Sequence, residues 1–131
     1  MEITAHGIAC VRVYNTEDGE SHLEDLEYSM ATTNHGLIAE NVATEEVVLR
    51  VWNEQPEHEK QHVAPRRQLV IHLSGSAEVE ASDGDKRILE TGSILLTEDT
   101  KGKGHTIRSL ELPRMAMFVP LLAKRKGSLI W

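Results

Sequence analysis

"HVAPRRQLVIHLSG", His62 to Gly75, is the stretch on which the fold turns. In a strand, successive side chains point to opposite faces, so Gln68, Val70 and His72 share one face and Leu69, Ile71 and Leu73 the other. The second set is wholly aliphatic and predicts burial against another sheet or a second subunit. The first mixes an amide, a small apolar group and an imidazole, which suits a pocket wall. It also suits a face turned simply to solvent.

Outward from this stretch, short apolar or alternating runs recur between glycine, proline and acidic turns. They are "GIACVRVYN", "VVLRVW", "AEVEA", "ILETGSILL", "HTIRSLEL" and "MAMFVPLL". Runs spaced by about 8–12 residues predict an all-β sandwich or barrel. The Asp-Gly in "ASDGDKRI" predicts a hairpin. The acidic "TEDGESHLEDLEYSMATTN" reads as a loop, or as an extra edge strand over "LEDLEYSM". No repeat, low-complexity tract or helix-length amphipathic pattern interrupts this. The 131 residues predict one domain, 1–131, able to bury a core without disulfides.

Several classes of function are disfavoured by composition. A net charge of −7 repels nucleic-acid and anionic-lipid surfaces, and the basic "KRK" near the C-terminus is too small a patch to reverse that. Neither a signal peptide at "MEITAHGIACVRVY" nor a membrane span is expected. The single cysteine, Cys10, rules out an intramolecular disulfide and predicts a cytoplasmic, reducing location, with the thiol inert and buried. Phosphate loops, Cys-x-x-Cys pairs and Gly-x-Ser-x-Gly elbows are absent from the sequence.

The spacing of "HVAPRRQLVIHLSG" and "GSILLTEDTKGKGH" resembles the two motifs of the cupins, specifically the small stand-alone members of that family. In the first motif, Gly-x5-His-x-His-x3-Glu-x6-Gly, His62 falls on the first histidine, Gln68 on the glutamate and Gly75 on the closing glycine. Ala64 stands at the second histidine and Pro56 at the opening glycine. In the second, Gly-x5-Pro-x-Gly-x2-His-x3-Asn, Gly92, Gly102 and His105 match, while Thr100 and Ser109 replace proline and asparagine and the segment between is longer by two residues. The resemblance covers about residues 45–120. It implies an all-β jelly-roll barrel (a double-stranded β-helix) of two antiparallel sheets, with residues 1–44 and 121–131 packing on it or on a partner.

Metal-binding cupins use three histidines and a glutamate. The resemblance therefore implies His62 and His105, with Gln68 as a weak third donor, as ligands for a divalent transition metal such as iron, manganese, nickel, zinc or copper. Alternatively, the same residues line a metal-free polar pocket, with His62 and His105 as an acid–base pair. His72 is expected on the deeper pocket wall, and His58 is a more distant candidate in a solvated loop. Arg66 and Arg67 lie between His62 and Gln68, where one guanidinium could clamp a carboxylate or enolate. A carboxylate of Thr97-Glu98-Asp99 could pair with that arginine or serve beside His105. Trp52, with Arg50 on its face, is a candidate lid over the pocket.

Two kinds of function fit. One is an enzyme of isomerase, lyase or oxygenase type acting on a small organic molecule; the other is a non-catalytic cupin that binds a small molecule or serves as a dimerisation module. A homodimer is expected in either case, through the apolar tail "GSLIW" or by edge pairing of "GIACVRVY".

Overall fold

The computed structural model describes residues 7–55 and 60–122. Pro56, His58, the basic "KRK" and the "GSLIW" tail lie outside the described residues. Among those described the chain is all-β: β1 (Ile8–Asn15), β2 (Ser21–Tyr28), β3 (Met30–Thr33), β4 (Gly36–Ala39), β5 (Val48–Trp52), β6 (Gln68–Ala81), β7 (Lys86–Leu89), β8 (Ile94–Glu98) and β9 (His105–Pro120). No helix among them is long and apolar enough to cross a membrane. The acidic segment resolves into β2 and the small β3–β4 hairpin, and the Asp-Gly turn joins β6 to β7 as expected.

The main sheet runs β2-β1-β8-β6-β9-β5, with β7 also paired to β6. Its hydrogen-bonded order is open, so the strand ladders of the described residues do not close a barrel. Curling nevertheless brings β2 to the far end of β6. Ser21 and Ser82 each donate a backbone N–H to the other's hydroxyl at 2.7 Å, and the Ser21 hydroxyl donates to the Gly104 carbonyl at 2.6 Å. Side-chain hydroxyls thus satisfy backbone groups where a ladder would otherwise run. One pairing departs from an antiparallel plan, since β1 lies parallel to β8. β1 is paired with β2 along its whole length and with β8 from Val11 to Tyr14, so the second half of "GIACVRVY" is paired on both sides within its own chain. The ends of the sheet order are β2 and β5.

Strands β6 and β9 are long because each fuses two of the runs seen in the sequence. Gln68–His72 face Ala116–Pro120, and Ala77–Ala81 face His105–Ser109, with register shifts between. Gly75 sits at this irregularity with φ of 75°, and a Cβ there would lie 2.9 Å from the Arg114 Cα. Glycine alone tolerates both conditions. The consequence is a change of parity, because an offset in a strand exchanges its faces. Before the shift Val70 and His72 are buried; beyond it Ala77, Val79 and Ala81 are. The change in β9 is matched: His105, Ile107 and Ser109 turn inward in its first half, and Arg114, Ala116 and Phe118 in its second.

Two apolar clusters result. The inner one joins Val13, Leu23, Val70, Val79, Leu89 and Leu95, and the outer one Cys10, Tyr28, Leu69, Leu96 and Val119. Full burial of leucines such as Leu89 and Leu95 contributes about 1.5–3 kcal/mol each. Cys10 donates its thiol hydrogen to the Tyr28 hydroxyl at 3.2 Å, and burial pushes its pKa up to about 11. A thiol so held is packing, not a nucleophile.

Candidate functional site

A cavity of about 260 Å³ opens between β5, β6, β8 and β9. The turn before β9 sets its centre. Gly104 has φ of 75°, and a Cβ on it would lie 2.0 Å from the His62 carbonyl oxygen. The bare glycine lets the two segments meet in a bridge, with His62 N–H donating to the His105 carbonyl at 2.9 Å and the reverse bond at 2.8 Å. The Ala64 N–H donates to the Asp99 carbonyl at 3.1 Å and extends the seam. The imidazoles of His62 and His105 consequently lie 4.9 Å apart, centroid to centroid.

His105 is 2% exposed, whereas His62 stands at the rim. Each ring is held through Nδ1, that of His105 by Asp99 Oδ2 at 2.5 Å and that of His62 by the Lys60 carbonyl at 3.1 Å. Both acceptors favour the tautomer with the proton on Nδ1, leaving Nε2 with a lone pair. Asp99 is fully buried, and its Oδ1 has no hydrogen-bond partner. Burying a carboxylate that is only partly satisfied is costly.

Gln68, Val70 and Thr97 form the floor, and the Thr97 hydroxyl donates to the Gln68 carbonyl at 3.2 Å. One wall is Trp52 with Phe118, whose centroids are 6.1 Å apart. The Arg114 guanidinium lies over the Trp52 ring at 3.7 Å, and Arg50 lies over Phe118 at 4.7 Å. Arg114 Nε donates to the Ser109 hydroxyl at 2.9 Å. Behind it is His72, 1% exposed, with Nε2 3.4 Å from Arg114 Nη1. Burial, and secondarily the Arg114 charge, push the His72 pKa down to about 4. A neutral His72 can accept from the guanidinium and fix its plane.

Of the residues picked out in sequence, His62, His105, Gln68 and Trp52 thus line one cavity. His72 supports the wall from behind and does not line it. Arg66 and Arg67 are elsewhere. Arg66 pairs with Glu46 at the surface, and Arg67 Nε donates to Glu98 Oε2 at 2.5 Å, on the outer face where Arg12 also binds Glu98. Odd-numbered Arg67 falls opposite Gln68 by strand alternation, and its carboxylate partner holds it there. The guanidiniums at the cavity belong to Arg50 and Arg114. Arg114 escapes a sequence reading because uninterrupted alternation from His105 would turn it outward.

Among the described residues, the donors at the cavity do not make up a set that holds a divalent metal. Two imidazoles and an amide face the cavity, the nearby carboxylate is engaged with His105, and Arg50, Arg114 and Lys60 add positive charge. Among the described residues no three histidine, cysteine or carboxylate side chains gather as ligands. A scan against models of known families matches none, and a search of curated proteins finds no relative.

Proposed function

We propose that the chain is a small cupin-type jelly roll whose cavity holds a small organic molecule without a resident transition metal, with His105 as the proton-accepting group. The observation that carries this is the meeting of His62, Gln68 and His105 in one cavity, on the residues where the cupin spacing matches. Asp99 holds His105 in the tautomer that leaves Nε2 basic, the geometry of an oriented general base. Such a pair suits isomerase chemistry, where a proton is taken from one carbon and returned to another, or lyase chemistry, where the proton is taken from one carbon and the leaving group on its neighbour departs with its bonding electrons and is protonated. His62, exposed at the rim, would deliver a proton from its imidazolium form, having taken one at Nε2 from solvent.

A metal-dependent reading has one observation in its favour: carbonyl and carboxylate acceptors on Nδ1 also orient histidine ligands. Elemental analysis of the purified protein separates the two. We expect well under one transition metal per chain, and no loss of melting temperature on treatment with chelator. One iron, manganese, nickel, zinc or copper per chain, lost in the His62→Ala/His105→Ala double variant, would establish the metal reading instead.

A homodimer is part of the proposal. Leu49 and Val51 of edge strand β5 turn away from the cavity and are 64% and 54% exposed. They adjoin Met115 and Met117 of β9, and Ile71 of β6 lies beyond, so one apolar strip crosses three strands. Such a strip calls for a second surface, and a symmetric copy supplies one. Light scattering at micromolar concentration should give twice the mass of one chain, and Leu49→Glu/Val51→Glu should halve it. A wild-type protein that scatters as one chain would remove this part.

A further inference from the structure

We propose that the occupant of the cavity is a small carboxylate with an apolar body, recognised chiefly by Arg50. This rests on the small-molecule reading above and deepens it. The charged lining is of one sign: Arg50, Arg114 and Lys60 face the cavity, and among the described residues no aspartate or glutamate lines it. Asp99 lies one layer back, occupied by His105. In a chain of net charge −7, a cavity with cationic walls is a local inversion of sign. Composition therefore does not explain it.

The Arg114 and Arg50 guanidiniums lie 3.7 Å and 5.6 Å from the Trp52 ring centroid, so both abut the same aromatic group. Arg50 is exposed, and no carboxylate among the described residues is ion-paired with it. Its planar fork matches a carboxylate. Trp52, Phe118, Val70 and Ile107 would contact the rest of the molecule, an apolar share that inorganic phosphate could not use. A carboxylate on Arg50 also leaves its neighbouring carbon within a cavity that His105 lines, where proton removal next to a carboxylate would take place.

Calorimetric titration with benzoate, pyruvate and succinate, against benzamide and inorganic phosphate, tests this. We expect at least one carboxylate to bind saturably, more weakly as salt rises, and benzamide and phosphate to bind at least about tenfold less well. Arg50→Gln should weaken the carboxylate by about tenfold or more while preserving the melting temperature, and Arg50→Lys should recover part of the loss. Benzamide equalling benzoate, or Arg50→Gln binding benzoate as wild type does, would overturn the carboxylate assignment and leave the small-molecule pocket standing. Phosphate outbinding every carboxylate would overturn it in favour of a phosphate site. Should none of the five probes bind or shift the His105 and Trp52 resonances, the assignment and the pocket reading fail together.

Discussion

Gly104→Ala is expected to cost about 3 kcal/mol or more of folding stability and to separate His62 from His105. Two penalties coincide at this position. Alanine at φ of 75° pays left-handed strain of about 1–2 kcal/mol, and its Cβ would occupy space 2.0 Å from the His62 carbonyl oxygen. Backbone must move, and the backbone that must move is the His62–His105 bridge. Gly84→Ala separates the two penalties, since Gly84 has φ of 94° but a Cβ there meets nothing within 4 Å. Denaturant titrations of both variants should show Gly104→Ala losing at least twice as much as Gly84→Ala. Equal losses would mean that strain alone acts and that the bridge is not set by the glycine. Benzoate binding, if present in the wild type, should vanish in Gly104→Ala and persist in Gly84→Ala.

Acidification should destabilise the protein well above the pH at which carboxylates titrate, through His72. Its pKa is about 4 in the fold against an ordinary 6.5, because burial and the Arg114 charge oppose a second cation there. Between those values the unfolded chain binds more protons than the folded one, so stability falls as pH drops through the interval. The full loss is about 3 kcal/mol, complete near pH 4. Asp18, Glu20 and Asp83, whose pKa values are lowered chiefly by hydrogen bonds, add stability that is lost at lower pH, as they protonate. Urea unfolding at pH 7 and pH 4.5 should therefore show a drop that His72→Gln largely removes. If both proteins lose the same stability over this interval, His72 is not the group responsible. His72→Gln keeps a polar acceptor beside Arg114, so carboxylate affinity should change little at pH 7.

The all-β class, the runs that became strands and the hairpin at Asp83-Gly84 were legible in the sequence because period-two patterning and turn chemistry are local properties. His62, Gln68 and His105 were picked out only by the resemblance to the cupin motifs; they line one cavity, but no local rule joins a loop residue to residues of two different strands. The placement of Asp99 beside His105 was half legible, as a carboxylate six residues ahead across a glycine turn. Of the arginines, Arg50 was legible as the same-face neighbour of Trp52, and the others were not. Arg66 and Arg67 are adjacent to the motif, yet neighbouring carboxylates on other elements, Glu46 and Glu98, draw them away from the cavity. Arg114 faces inward only because β6 and β9 change parity together around Gly75, where the register shifts by an amount that no single strand specifies. Local pattern determines which residues alternate; the pairing of two strands decides which face each half presents, and with it the charge of the cavity.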